Sequence, residues 1–448
     1  MSRTLFAGAR VICPYNRLDL VGDVLVERGR IVLVRPGGGL RVEDALRLEC
    51  SGLVLSPGFV DLHTHLREPG EEQKETIETG TAAALAGGFT TLCAMPNTRP
   101  ALDSRIAIET VRERSEGLGV TVLPIGAITK DRAGRTLAPH HSLAEAGAVA
   151  ISDDGSPVSD AGLMRRALEY SEPTGLPVVS HCEELTLSEG GVMHEGAVSA
   201  RLGLPGAPAS AEEVMVRRDI ALAEASGGRL HIAHISTAGA VEALRDARAR
   251  GLPVTAEITP HHLLLTDDWA AGWGSLDGEP PDRNRLGDTA YDTSTKVNPP
   301  LRSEEHVRAV VQAVADGVID AIATDHAPHA ATDKECEYGC AAFGISGLET
   351  ALGLLLTLAH RGDLDLPTLV GLLTVGPTRT FNLSAAGIRE GARADLTLFD
   401  PNLAWVVDSN TLLSKGKNTP LHGRCLRGKT LLTMAGERVY TSMEMETR

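Results

Sequence analysis

Residues 61–70 read DLHTHLREPG. Two histidines two positions apart close an apolar run, and Arg67 follows them before a Pro-Gly turn. Side chains alternate along a strand, so His63 and His65 face the same way. Two imidazoles on one side of a strand end can share a metal ion. Other apolar runs of strand length end in donors too. Asn97 follows AMP, Asp153 and Asp154 stand in SDDG, and His181 stands in SHCEE. His231 and His234 belong to HIAHIST, and Asp325, His326 and His329 to TDHAPH.

If the C-terminal ends of these runs lie together, one space is enclosed by His63, His65, His181, His234, Asp325 and one of Asp153 and Asp154. Nitrogen and oxygen donors without a thiolate suit Zn2+ or a similar divalent ion, singly or as a pair. Two ions ~3.5–4 Å apart would hold a hydroxide between them. A lone histidine at a strand end is usually structural, but donors ending five runs together argue for a joint role. His231 and His234 are an odd number apart, so they are expected on opposite faces; His234 reads as the ligand and His231 as packing. The pairs His140–His141 and His261–His262 lie beyond strand ends and read as surface or supporting histidines. Cys336 and Cys340 form C-x3-C without a second pair at zinc-finger spacing, which disfavours a structural metal there.

The first ~55 residues alternate short β-rich runs with turns, without a helical period. From 57 onward eight strand candidates alternate with helix candidates: 53–62, 89–95, 120–126, 148–152, 176–182, 229–235, 252–258 and 318–325. Near-continuous apolar strands separated by helices argue for a parallel sheet covered on both faces. Eight such units predict an α/β fold of the closed (β/α)8 TIM type, in which active residues project from the C-terminal strand ends. An open doubly wound sheet is the alternative, but no G-x-G-x-x-G follows a strand. After 390 the β-rich texture returns. Both chain ends, 1–56 and 391–448, are expected to form one composite β-sandwich beside a barrel of 57–390. The polar, Gly/Pro-rich stretch 267–293 reads as an insertion loop between the seventh strand and its helix.

The 448 residues suffice for such a barrel and one smaller domain. Aromatic residues are 3% of the chain, so the core must be aliphatic. A formal charge of −16 argues against a nucleic-acid or anionic-membrane partner. It leaves room for an anionic substrate, since a site can oppose the global sign. Seven scattered cysteines do not look like a disulfide framework. The start carries no signal-peptide pattern, and no window of ~18 residues is continuously apolar. The expectation is a cytoplasmic enzyme.

In order along the chain, DLHTHLREPG, AMPNT, SDDG, SHCEE, HIAHIST, KVNPPLR, TDHAPH and FGISGLET resemble the amidohydrolase superfamily and, within it, the class I (bacterial-type) dihydroorotases. The resemblance runs along nearly the whole chain. His-x-His and TDHAPH mark the superfamily, whereas HLREPG with MPNT, NPPLR and DDG is more specific. Dihydropyrimidinase and allantoinase bridge two metals with a carboxylated lysine after the fourth strand. AVAISDDGSPVSD has no lysine there, and the class I family uses the second aspartate, which implies Asp154.

The resemblance implies two Zn2+ ions bridged by Asp154 and a hydroxide. His63 and His65 would bind one, with Asp325 close by, and His181 and His234 the other. Asp325 would be the catalytic proton carrier. His65, Arg67, Asn97, Asn298, His329, Phe343 and Gly344 would contact substrate. The implied reaction is zinc-dependent, reversible cyclisation of N-carbamoyl-L-aspartate to (S)-dihydroorotate, the third step of pyrimidine biosynthesis. A homo-oligomer and aspartate carbamoyltransferase are the implied assembly and partner. The insertion at 267–293 and the Cys336/Cys340 loop depart from the pattern. Rival readings are another cyclic-amide substrate, against which Asp154 and Arg67 argue, and a non-catalytic scaffold, against which the intact ligand set argues.

Overall fold

The computed structural model describes residues 3–276 and 282–446. The apolar runs become eight parallel strands: β1 (Phe59–Thr64), β2 (Phe89–Ala94), β3 (Thr121–Pro124), β4 (Ile151–Ser152), β5 (Val178–Ser180), β6 (Leu230–Ile232), β7 (Val254–Ile258) and β8 (Ala321–Ile322). In chain order, β1–β3 form one parallel sheet and β4–β8 another. Single parallel bridges join the edges of the two, Gly126 to Ile151 and Thr64 to His326. Val60, Leu62, Cys93, Met95, Val179 and Ala321 pack together as one apolar cluster drawn from several strands.

Helices follow the strands as the periodicity predicts, among them Ile77–Gly87, Arg105–Ser115, Ala161–Ser171, Ala238–Ala249 and Glu304–Ala315. Their starts are written locally. Thr76, Ser104, Asp160 and Thr237 stand at N-caps, and each side chain accepts from the backbone N–H three residues on. The helices bury narrow apolar faces; Ala161–Ser171 buries Leu163, Met164, Ala167 and Leu168.

The first strand candidate, 53–62, is in fact two strands. Val54–Pro57 pairs with Asp395–Val406 in the sheet of the chain ends, and only Phe59–Thr64 enters the parallel set. The break falls at Gly58, where a Cβ would lie 2.2 Å from Thr90 Oγ1. A side chain cannot pass there, so the chain switches sheets at the one residue that has none. Strands from both ends, Arg3–Cys13 through Val54–Pro57 and Asp395–Val406 through Arg438–Thr441, share one eight-stranded sheet. It has its own core of Phe6, Val11, Val24, Leu55, Leu398 and Leu431. Phe59 joins the two bodies: its ring meets Phe89 edge-on at 5.6 Å and Phe399 at 6.3 Å.

The insertion is anchored more firmly than its polar composition suggests. Residues 277–281 of it lie outside the described residues. On either side, Ala270, Ala271, Trp273 and Leu286 pack with Met193, Leu202 and Tyr338. His261 and His262, expected in a loop, sit buried in the short helix Pro260–Leu264. His262 Nε2 donates to Pro299 O at 2.9 Å, which ties that helix to the segment before Arg302. His140 is likewise buried, donating Nε2–H to Ile128 O at 2.8 Å, whereas His141 is exposed as expected. All seven cysteines are free. No helix among the described residues is long and apolar enough to cross a membrane.

Replacing Phe59 with alanine should cost about 3–5 kcal/mol, because a fully buried ring at the junction of two cores leaves a cavity that neither can collapse into. The shift of the denaturant midpoint checks this; a change under 1 kcal/mol would mean that the two bodies do not depend on the contact.

Candidate active site

His63, His65, Asp154, His181, His234 and Asp325 are all buried, and the C-terminal strand ends bring them together. Simple alternation does not account for this. The β1–β2 register slips by one between Asp61 and Thr64, so β1 carries one extra residue at the step holding Leu62 and His63. Such a bulge re-aims a side chain. At β6, His234 has φ 32. That left-handed backbone breaks the alternation and overturns the expectation of opposite faces for His231 and His234: both rings reach the same polar cluster.

Asp154 stands at the centre. Its Oδ1 lies 3.3 Å from His63 Nε2, 3.5 Å from His181 Nδ1 and 3.5 Å from His234 Nε2. His181 Nδ1 and His234 Nε2 are 2.9 Å apart. Asp325 Oδ1 lies 2.9 Å from His65 Nε2 and 3.4 Å from His63 Nε2. Among the described residues two donor groups are tight enough for a cation, His63–His65–Asp325 and His63–Asp154–His234, each with its donor atoms within 4.8 Å of one another. The choice between the two aspartates of SDDG is decided by turn geometry. Asp153 accepts from the Ile128 and Thr129 N–H groups and from the Thr129 hydroxyl, so only Asp154 is left to face the histidines.

Outer partners orient the rings. His63 Nδ1 lies 2.7 Å from Glu257 Oε1. Burial opposes ionisation of Glu257, yet His231 and His63 hold its pKa down to about 2. An ionised carboxylate only accepts, so His63 Nδ1 donates to it and the ring is turned with Nε2 toward the cluster. His65 Nδ1 meets Asn97 Oδ1 at 2.8 Å, and His181 Nε2 meets Glu183 Oε2 at 3.2 Å. Asn298 Nδ2 donates to the same Glu183 oxygen at 2.9 Å. Burial opposes charge on Asp154 as well, yet His63, His181 and His234 hold its pKa well below the usual carboxylate range.

His231 is more than packing. Its ring stacks edge-on to Phe381, Nδ1 meets Thr255 Oγ1 at 2.9 Å, and Nε2 lies 3.2 Å from Glu257 Oε2. Glu257 therefore spans two histidines at zero exposure. The sequence reading passes over it, over Glu183 and over Asp61, which accepts from His63 N and from Thr324 N and Oγ1. A signal existed for two of them: Glu257 is the single charged residue in LPVTAEI, and Asp61 is the single one in LVLSPGFVDL. A charge inside a strand covered on both faces must have a partner.

At the rim, Arg67 is buried, with φ 60. Its Nε donates to Pro328 O at 3.2 Å, and its Nη2 lies 3.3 Å from His329 Nε2. Burial and the Arg67 charge push the His329 pKa down to about 2, so that ring is neutral; its Nε2–H donates to Phe343 O at 2.8 Å. Gly344 is needed as glycine: at φ 146, a Cβ would lie 2.6 Å from Ala327 O. The Phe343 ring is exposed, with Lys296 Nζ 4.4 Å from its centroid. A cavity of about 520 Å3 lies against Glu183, Asn298 and Phe343. Cys336 and Cys340 are exposed and belong to neither cation-sized group.

The relatives of this chain, together with its fold, indicate a cyclic-amide hydrolase. The fold is shared with the L-hydantoinase (dihydropyrimidinase) of Arthrobacter aurescens, at TM-score 0.82 and 22% identity over 99% of this chain and 96% of that one. It is shared also with the D-hydantoinase of a Thermus species, at TM-score 0.79 and 23% identity over 98% and 95%. A family model described as dihydro-orotase-like matches residues 52–240. The chain is 50% identical over 444 residues to a dihydroorotase of Anaeromyxobacter dehalogenans, covering 98% of each. It is 48% identical over 438 residues to one of Syntrophus aciditrophicus, covering 98% and 99%. The chain belongs to the dihydroorotase family.

Exchanging Glu257 for glutamine keeps the shape but removes the charge that fixes the His63 proton. Metal affinity, read by chelator competition, should fall about 10–100-fold with the fold retained; unchanged affinity would show that Glu257 does not orient His63.

Proposed function

We propose that the chain catalyses, as a class I enzyme, the reversible cyclisation of N-carbamoyl-L-aspartate to (S)-dihydroorotate and water, the third step of pyrimidine synthesis de novo. The reading is carried by the buried meeting of four histidines with Asp154 and Asp325, with Arg67 at the rim. The segment AVAISDDGSPVSD supplies no lysine, so a carboxylate, Asp154, takes the bridging place.

The donors fit a pair of zinc ions. His63 Nε2 and Asp154 Oδ1 are buried without a hydrogen bond. Zinc bonds of 2.0–2.1 Å in a tetrahedron put ligand atoms about 3.3 Å apart, close to the spacings around Asp154. His63 and His65 would hold one ion with Asp325 beside it, His181 and His234 the other, and Asp154 both. When bound, such ions polarise the reacting carbonyl and lower the pKa of water toward ~7.

The chain's own groups supply the rest. Arg67 pairs with the substrate carboxylate in a charge-assisted bond that can be bidentate. His65, Asn97, Asn298 and His329 add hydrogen bonds around it, and Phe343 and Gly344 border the bound molecule. In the ring-opening direction Asp325 takes a proton from the attacking water and passes it to the departing ring nitrogen. Ring closure reverses both transfers.

The same reading takes the eight parallel strands as a (β/α)8 barrel of residues 57–390, supported by the bridges Thr64–His326 and Gly126–Ile151. It takes 1–56 with 391–448 as the companion β-sandwich, supported by their shared sheet and core. It places the chain in the cytoplasm as a homo-oligomer, with aspartate carbamoyltransferase as the partner to test and with neither nucleic acid nor membrane as a partner.

Zinc-loaded protein should turn over L-dihydroorotate and leave dihydrouracil, hydantoin and allantoin untouched. Turnover of an uncharged ring would overturn the assignment of Arg67, and no turnover of any with metal bound would favour a scaffold. Arg67→Ala should raise KM about 10–100-fold, the worth of one charge-assisted pair; an unchanged KM would remove Arg67 from the substrate. Asp325→Ala should retain metal by elemental analysis and lose turnover about 10²–10⁴-fold. Near-normal kcat would take the proton transfer away from Asp325.

A further inference from the structure

Away from the catalytic cluster, a cleft of about 640 Å3 opens where the sheet of the chain ends meets the loop entering β3. Its wall holds Arg28, Arg30, Arg393 and Arg438, against one acid, Glu437. That is a basic concavity in a chain whose formal charge is −16. The catalytic groups follow the strands, whereas Ser115, Gly117, Gly119 and Val120 of this cleft precede one, so the two places are distinct.

The arginines are gathered by close packing of three turns. The turn Arg28–Gly29 links Leu18–Glu27 to Arg30–Pro36, and both its residues are left-handed, at φ 49 and φ 67. A Cβ on Gly29 would lie 2.8 Å from Gly436, at the turn before Arg438. A Cβ on Gly119 would lie 2.5 Å from the Arg438 side chain. Glycines at the contacts let the turns touch, and the cations are drawn together with them. Arg30 and Arg393 also stand directly opposite each other across an antiparallel bridge. Like charges in that position are unfavourable unless answered, and Asp395 answers only Arg393. Arg393 is committed within the protein: Nη2 donates to Gly119 O at 2.7 Å and Nε lies 3.3 Å from Asp395 Oδ1. Arg30 donates Nη1 to Gly391 O at 3.0 Å. Arg28 and Arg438 are exposed.

We propose that this cleft is an anion site for a small oligophosphate, held chiefly by Arg28, Arg30 and Arg438. Guanidinium is the group whose planar fork matches phosphate oxygens in pairs. The cleft falls within the ~300–1,000 Å3 range of small-ligand sites. A ligand with two or more phosphates would meet Arg28, Arg30 and Arg438 at once, which a single carboxylate cannot.

The test is calorimetric titration of the metal-loaded full chain with inorganic pyrophosphate at low ionic strength. One site is expected, weakened at least about tenfold in the Arg28→Ala/Arg438→Ala variant and further weakened by added salt. It should persist in Arg67→Ala and in chelator-treated protein, which separates it from an anion bound at the catalytic cluster. Arg438→Glu gives a second check. The altered side chains are exposed, so the melting temperatures of these variants should match the parent and verify folding. No saturable binding, undiminished binding in both variants, or loss in Arg67→Ala instead would overturn the proposal.

Discussion

Asp154 is a carboxylate taken out of water and surrounded by three imidazoles, and the surrounding structure serves to make that arrangement tolerable. An isolated buried charge would cost several kcal/mol or would neutralise itself. Here the charge is answered at 3.3–3.5 Å by His63, His181 and His234. Those rings can do so only if their other nitrogens are also satisfied. Glu257 meets that need for His63 and Glu183 for His181, both from outside the cluster. His231 Nε2 lies 3.2 Å from the other oxygen of Glu257. The result is two layers of buried polar groups, in which His63, His65 and His181 are each oriented by a group behind the ring.

The same logic explains why the strand ends are irregular where the chemistry lies. A regular strand would send alternate side chains to opposite faces. The β1 bulge and the left-handed backbone at His234, Arg67 and Asp325 break that rule where a side chain must turn inward. The deviations are held by buried hydrogen bonds, such as those Asp61 accepts from Thr324 and His63. That network also ties β1 to the residues after β8, so one buried carboxylate joins the first strand to the last.

The far side of the molecule is built on different terms. There the chain ends share one sheet, fastened to the parallel set through the Phe59, Phe89 and Phe399 rings and through Arg393, which reaches Gly119 and Thr121. Glycine at 58 lets one run of apolar sequence serve both sheets. The catalytic end is acidic and imidazole-rich, and the opposite cleft is rich in arginine. The gathering of the catalytic groups follows from parallel strands, which put every strand's C-terminal end on one side.

Much of the fold and of the site is legible in the residues alone. The His-x-His pair, the strand-ending donors and the absence of a lysine after the fourth strand stand in the residues themselves, because metal-binding chemistry admits few residue types. The alternation of apolar runs with capped helices is likewise local and readable. The lone charges Glu257 and Asp61 are legible as residues needing a partner, but the partners of the supporting residues are not. Glu257 acquires its role only when β7 lies beside β6, near His63, and Asp153 loses its claim only when Thr129 and Ile128 reach it. Nor could spacing reveal that 53–62 is two strands, since Gly58 breaks them through a contact with Thr90. The sequence by itself determined which groups could do chemistry and which segments could be strands or helices, since those depend on residue type and period. The tertiary structure decided which groups meet and which nitrogen faces the cluster, because those depend on contacts between residues far apart in the chain.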